Sequence, residues 1–342
     1  MEVRKKPRIC ILFCGGTIMM APDPKTGALD VSGGIADLLN IEPKLKEIYD
    51  MDAIFIDNLD STNMKPTHWD TLVTKIVENY GKYDGFVVTH GTNTMAYTSS
   101  ALSFALVGIG KPVVLTGAQI PMNRLESDAR QNFVNAVKLA SMDLSGVYVV
   151  FGSKIILGCR AKKDNERELN AFKTFNSSDM GEIGIQIKLK GDHPLRHSQP
   201  FEAKPGFSSD IIVLTLEPGI SEKHVEEMMN AGIKGIVLRA FGAGDVPYSL
   251  VPTLEQASRR KVPIVVTTQC PNGVTQMSVN MVGLRSLNAN VIQAFDMSME
   301  SMTTKLRWLL SNNVSYENIK RIMETNLCGE IVSQITNETT NG

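Results

Sequence analysis

Gly85–Met95 reads GFVVTHGTNTM, and its reading decides the fold. Gly85, Phe86, Val87 and Val88 form an uninterrupted apolar run, the signature of a strand buried on both faces. The chain then turns at Thr89-His90-Gly91 and delivers Thr92, Asn93 and Thr94 to the start of a helix. A turn from strand to helix is where open α/β sheets place their chemistry, outside the carboxyl ends of the strands. Two hydroxyls and a carboxamide arriving there together point to a binding or catalytic pocket.

The same alternation runs outward in both directions. Ile9–Phe13, Ala53–Ile56, Val113–Leu115 and Val147–Phe151 read as further strands. Amphipathic segments lie between them, at His68–Tyr80 and at Ser127–Ala140. In the latter, Ala129, Phe133, Ala136, Val137 and Ala140 share one helical face, with Ser127 placed to cap it. This pattern predicts βαβ units and a mostly parallel sheet. It lapses at Gly191–Phe207 (GDHPLRHSQPFEAKPGF), whose prolines and few aliphatic residues read as a linker. A second series follows. Its strands are expected at Ile211–Leu214, Gly235–Ala240, Pro263–Thr267 and Val291–Ala294. Its helices are expected at Glu222–Ala231, Leu254–Arg260, Glu300–Leu310 and Tyr316–Thr325. The expected fold is two α/β domains: a larger N-terminal one over residues 1–190, a linker over 191–210, a smaller Rossmann-like one over 211–335 and a polar tail over 336–342.

Bulk composition narrows the function. The 342 residues carry a net charge of −1, so no overall basic field exists to hold nucleic acid or an anionic membrane. Five cysteines without paired spacing argue against a disulfide framework and for a reducing, cytoplasmic setting. No apolar run approaches the ~18 residues of a membrane span. The five histidines do not fall at metal-ligand spacing with Cys or acids, so no metal is expected.

Four constellations can carry chemistry. Cys14-Gly15-Gly16-Thr17-Ile18 follows the first strand; its glycines permit a tight turn that puts Thr17 at the edge of the sheet, or form a plain glycine turn. The third glycine of a dinucleotide loop is missing. The Gly- and Pro-rich stretch Met19–Gly34 is either a lid over Thr17 or a surface connection. Asp60-Ser61-Thr62-Asn63-Met64 offers hydroxyls and an amide for a small carboxylate, or an Asx turn entering the next helix. Thr92-Asn93 is the pair already described; His90 beside it has no acid placed to make a triad. Gly158–Asp164 brings Lys162 and Lys163 into a loop; a lysine buried beside Thr92 would have a depressed pKa and serve as a base.

Taken together and in this order, these pieces resemble the bacterial-type asparaginase family, most closely its cytosolic type I branch. CGGTI is similar to its TGGTI signature and THGTNTM to THGTDTM. DSTNM, VLTGAQIPMNRLESDARQN (Val114–Asn132), GCRAKK, FDMSMESMTTKL and NLCGE add to the match, which runs from about residue 7 to residue 330. The resemblance implies hydrolysis of L-asparagine to L-aspartate and ammonia without metal or organic cofactor. It implies Thr17 as nucleophile, with Thr92, residue 93 and Lys163 as the second catalytic group. Gly16, Ser61, Thr62, Gly91 and the carbonyl of Ala118 would line the substrate, Ser61 and Thr62 holding its α-carboxylate. It also implies a homotetramer whose pockets are completed by a neighbouring subunit.

The chain departs from the family pattern at telling places. Asn93 replaces an acid that pairs with the lysine and binds the substrate ammonium. Hydrogen bonds to charged groups contribute about 1.5–3 kcal/mol, so the exchange is expected to cost roughly 10- to 150-fold. It should also favour a neutral Lys163. No tyrosine lies in Ala21–Leu29, where the family's lid tyrosine falls; Pro24 or Ala28 stands instead. Asn63 stands where related chains carry Asp. Asp245, in Phe241–Asp245, replaces an Asn that in the family reaches the neighbouring subunit's pocket. An acid lost at 93 and gained at 245 suggests that the charge for the substrate ammonium has moved. Four readings are open: an asparaginase, an amidase for a modified asparagine-like substrate, a non-catalytic asparagine-binding regulator, and an ammonia-supplying amidotransferase subunit as in archaeal tRNA-dependent glutamine synthesis, which the near-neutral charge counts against.

Overall fold

A computed structural model describes residues 6–27, 29–31, 34–197 and 201–332. The chain forms two compact units, Met1–Thr174 with Ser178–Pro205, and Phe175–Ser177 with Gly206–Gly342.

In the first unit the chain-ordered strands of the main sheet are β1 (Arg8–Gly15), β2 (Asp50–Leu59), β3 (Gly85–Thr89), β4 (Pro112–Thr116), β5 (Gly146–Phe151), β6 (Lys154–Leu157), β7 (Gly181–Ile183) and β8 (Ile187–Leu189). Their spatial order is β8-β7-β6-β5-β4-β3-β1-β2. β2, β1, β3, β4 and β5 run parallel, and β6 to β8 extend the sheet antiparallel. Helices α1 (Pro66–Asn79), α2 (Met95–Ala105) and α3 (Ala129–Ala140) connect the parallel strands. The apolar runs are strands because both faces are covered: Ile9 to Phe13 and Phe86 to Val88 are fully buried. α3 lays Ala129, Phe133, Ala136, Val137 and Ala140 on this core. Its N-cap is Asp128, one residue later than the sequence pattern suggests. Ser127 Oγ still accepts the Ala129 amide, while the Asp128 carboxylate takes the Gln119 and Ile120 amides.

The strand order reverses between β1 and β3. Chain leaves β1 toward β2 on one side and leaves β3 toward β4 on the other, so a crevice opens at the carboxyl ends of these two strands. That is where Gly16-Thr17 and Gly91-Thr92 emerge.

Part of the stretch that reads as a linker is tied to the first unit. Arg196 donates to the carbonyls of Met142 and Asp84, the Ser145 amide to Pro194, and the His197 amide to Gly110. The second unit holds a parallel four-stranded sheet, β9 (Ile211–Thr215), β10 (Gly235–Ala240), β11 (Ile264–Thr268) and β12 (Ile292–Gln293), in that order. Helices α4 (Glu222–Asn230), α5 (Val251–Arg259), α6 (Met281–Asn288), α7 (Met299–Ser311) and α8 (Tyr316–Met323) accompany it. Inside this unit the wholly buried Lys305 on α7 donates to Glu330 and to the carbonyls of Met323 and Thr325, which pins the NLCGE segment.

Candidate active site

The site is assembled from four turns at the carboxyl edge of the first unit's sheet. After β1 the backbone passes through Gly15 (φ 80°) and Gly16 (φ 89°), a left-handed region that only glycine enters cheaply. A Cβ on Gly16 would lie 2.4 Å from the Gly91 nitrogen, so the β1 and β3 turns touch backbone to backbone. Thr17 follows directly and opens a short 3₁₀ turn, Thr17–Met19, anchored by the buried Ile18 and Met19. Thr17 itself is partly exposed at the edge. The β2 turn joins from the other side, where a Cβ on Gly91 would meet Ser61 Oγ at 2.6 Å. There Asp60 caps the turn Ser61–Asn63 by accepting the Thr62 amide at 2.7 Å, and the Thr94 hydroxyl donates to the Ser61 carbonyl at 2.7 Å. The turn after β4 closes the set: a Cβ on Gly117 would strike the His90 carbonyl at 2.2 Å, which leaves Ala118 buried beside the β3 turn.

The side chains form one connected group. The Lys163 amine donates to Thr92 Oγ1 at 2.8 Å and to Asn93 Oδ1 at 2.9 Å. The Asn93 carboxamide nitrogen donates to Thr62 Oγ1 at 3.1 Å. Lys163 arrives on a short strand, Ala161–Lys163, paired antiparallel with Phe172–Thr174, rather than on the loop that the sequence suggests. Ala161 and Lys163 share one face of that strand, where Ala161 is buried and the Lys163 amine reaches Thr92. Partial burial pushes the Lys163 pKa down; Glu166 and Asp60 pull it back up. Thr92 is buried, and its hydroxyl accepts from an amine that is closer to deprotonation than a surface lysine. A neutral amine in that position takes the hydroxyl's proton instead.

Behind the β3 turn lies a feature that sequence reading passed over. His90 is fully buried and its pKa is pushed down to about 4, chiefly by desolvation, so the ring is neutral at physiological pH. Nδ1–H faces the Gly91 carbonyl at 2.7 Å, and Nε2 accepts from the Thr98 hydroxyl at 2.8 Å. Thr98 in turn accepts from the Trp69 indole N–H at 3.0 Å. This chain fixes the ring and, through it, the peptide that precedes Thr92. The absence of an acid beside His90 in the sequence was the available signal: the ring orients backbone and does not work as a base.

Of the candidate residues, Gly16, Thr17, Ser61, Thr62, Gly91, Thr92, Asn93 and Ala118 fall in these adjoining turns of the first unit, and Lys163 reaches Thr92 and Asn93 from its strand. Asp245 belongs to the second unit. There it closes a tight turn with Phe241, and Asn280 Nδ2 donates to its Oδ2 at 3.2 Å, while its Oδ1 is buried without a hydrogen-bond partner among the described residues. Met20–Pro22 and Leu29–Val31 pair antiparallel in the segment that follows Thr17, with Pro24 in the connecting turn. Ala28, the other candidate for the lid-tyrosine position, lies outside the described residues.

The family profile described as "Asparaginase, N-terminal" matches residues 8–195, and that of the "Glutaminase/Asparaginase C-terminal domain" matches residues 210–323. The chain belongs to the asparaginase family. It is 38% identical over 278 residues to an L-asparaginase of Thermococcus kodakarensis, covering 80% of this chain and 84% of the relative. It is 33% identical over 337 residues to a glutamyl-tRNA(Gln) amidotransferase component of Pyrococcus abyssi, covering 95% of this chain and 77% of the relative. Among solved structures, the thermostable L-asparaginase from Thermococcus kodakarensis superposes with a TM-score of 0.88 at 35% identity, covering 95% of this chain and 99% of that one. The mixed α/β fold with a large, mostly parallel sheet and a separate smaller parallel sheet is therefore that of this amidohydrolase family.

Proposed function

We propose that this chain hydrolyses the side-chain amide of L-asparagine to L-aspartate and ammonia. The observation that carries the reading is the Lys163 amine, lowered in pKa by burial and 2.8 Å from the Thr92 hydroxyl, one turn from Thr17. The Thr17 hydroxyl attacks the amide carbon and loses its proton, the amide nitrogen gains one, and ammonia leaves a threonyl ester. The Thr92 hydroxyl then takes a proton from water while passing its own to the neutral Lys163 amine, which returns it to the departing Thr17 oxygen. The resulting hydroxide opens the ester, returns the Thr17 hydroxyl and releases aspartate. Dividing one difficult hydrolysis into acylation and deacylation lowers each barrier. Ser61 and Thr62 receive the substrate α-carboxylate, and the Gly16, Gly91 and Ala118 backbones wall the amide.

The Asn93 carboxamide bonds both Lys163 and Thr62 but carries no charge for the substrate ammonium. In this reading the Asp245 carboxylate of a neighbouring copy supplies that charge. The active particle is then an oligomer, taken as a tetramer working in the cytoplasm. Asn93→Asp should not improve turnover unless Asp245→Asn is added, because coupled sites are non-additive; strict additivity in that cycle removes the relocation.

The neutral Asn93 also favours a second reading, an amidase for an asparagine whose α-amino group is blocked or absent. Ammonia release is measured from asparagine and from its N-acetyl derivative, by wild type and by Thr17→Ala. Release from asparagine that vanishes in Thr17→Ala supports the first reading. Faster release from the acetylated amide supports the second. Binding of asparagine without product supports a regulator.

A further inference from the structure

At the opposite, amino edge of the first unit's sheet lies a cleft of about 490 Å³ whose walls are basic. Lys6, Arg8, Lys82, Lys111 and Arg196 line it, against a single lining carboxylate, Asp84. These cations come from segments far apart in sequence, where β1, β3 and β4 begin. Strand length at roughly 3.3 Å per residue puts the cleft about 20 Å from the Thr92 turn. The chain as a whole is nearly neutral, with 35 basic and 36 acidic residues, so a local excess of this size is not a reflection of composition.

The partners of these cations are carbonyls and rings. Lys111 Nζ donates to the carbonyls of Tyr80 at 2.5 Å and Tyr83 at 2.7 Å, and sits 4.4 Å from the centre of the Tyr80 ring. Arg196 Nη2 donates to the Met142 carbonyl at 2.7 Å, just past the end of α3. The Arg8 guanidinium lies 5.2 Å from the centre of the Tyr83 ring, and Lys6 donates to the Lys46 carbonyl. Asp84 accepts the Arg8 amide, and Asp52, behind Tyr83, accepts the Tyr83 hydroxyl. Lys111 and Arg196 thus meet the carboxyl ends of α1 and α3, each worth about half a negative charge. Five cations less Asp84 and two such ends leave about +3, and about +2 with Asp52 counted. Among the described residues no carboxylate ion-pairs with any of the five. Burial pushes the Lys111 pKa down, Asp84 pulls it back up, and Arg196 lowers it by less.

We propose that this cleft is a binding site for a small phosphate-bearing anion of two or more negative charges, up to the size of a nucleotide. Fixed cations around a concave wall focus potential on such a ligand and need little ordering to receive it. Lys111 and Arg196 are held rigid at the floor, while Lys6 and Lys82 stand exposed at the rim, on hydrogen bonds to the Lys46 carbonyl and to Asn79 Oδ1 that they can exchange for phosphate oxygens.

The test is calorimetric titration of the full chain with inorganic triphosphate and, separately, with ATP, at low and at 0.15 M salt. Because Lys111 and Arg196 also cap helices, the variant used is Lys6→Glu/Lys82→Glu, both rim positions. A double reversal on exposed lysines that do not line the cleft, Lys188→Glu/Lys223→Glu, controls for net charge. The site requires saturable binding of at least one probe by wild type and by the control, weakened at least tenfold in the rim variant. Equal affinity for both probes assigns recognition to phosphate alone; tighter ATP binding assigns part of it to the nucleoside. No saturable binding of either probe at millimolar concentration, or equal weakening in the control, overturns the proposal. Ammonia release from asparagine reports separately on the catalytic reading, so failure of one leaves the other legible.

Discussion

Replacing Asn93 by Asp probes the electrostatics of Lys163 directly. In the native chain the Lys163 amine lies 2.9 Å from the neutral Asn93 oxygen and 2.8 Å from Thr92 Oγ1. The substitution puts a full negative charge at the first of these positions, and the Thr62 hydroxyl can turn to donate to it. A unit charge at that separation stabilises an ammonium by about 1.4 kcal/mol at the dielectric of water and by about 6 kcal/mol at an effective dielectric of ~20. Lys163 is partly exposed, so solvent screening keeps the gain near the lower figure. At 1.36 kcal/mol per pH unit, the ammonium then persists at least about one pH unit higher. If the neutral amine is the working form, the ascending limb of ammonia release against pH moves up by that amount in Asn93→Asp. At pH 7 the variant turns over about tenfold more slowly and recovers at alkaline pH. The assay is initial-rate ammonia release from saturating asparagine, from pH 5 to pH 10. A limb that stays in place, or moves down, refutes the assignment of Lys163 as proton acceptor.

Gly16→Ala forces a left-handed residue to carry a Cβ 2.4 Å from the Gly91 nitrogen; backbone cannot yield there, and ammonia release should fall at least about 100-fold. Lys305→Met strands the Glu330 carboxylate in the core of the second unit and should cost about 3–5 kcal/mol in denaturant unfolding, much of it regained in Lys305→Met/Glu330→Leu. His90 is buried neutral, its pKa lowered from 6.5 to about 4. The unfolded chain therefore binds a proton that the native one refuses between those values. Its contribution is fully present above pH 6.5 and is lost as pH falls toward 4, about 3 kcal/mol in all; urea midpoints of wild type and His90→Gln should converge over that window.

The parallel strands were legible because burial on both faces leaves nothing but apolar residues, as in Phe86–Val88. The edge strand Asp50–Leu59 is longer than its readable core, Ala53–Ile56, because one side of it faces solvent and admits Asp and Asn. Lys154–Leu157, Gly181–Ile183 and Ile187–Leu189 escaped notice: each is three or four residues long, and pairings such as Gly181 with Ile155 leave no local periodicity. Helix Met281–Asn288 was hidden by Gly283, which reads as a breaker but is required where the Met277 carbonyl presses against it, 2.0 Å from where a Cβ would be. In the candidate site, the adjoining turns are contiguous motifs and were readable. The Trp69–Thr98–His90 chain was not, because its members are spaced by fold and not by motif.

Acid-quenched turnover of asparagine followed by peptide mass mapping asks which hydroxyl becomes acylated. The peptide carrying Thr17 should gain one aspartyl residue through an ester labile to mild base, the peptide carrying Thr92 should gain none, and the adduct should vanish in Thr17→Ala. An adduct on Thr92, or full ammonia release by Thr17→Ala, would contradict the assignment of Thr17 as nucleophile.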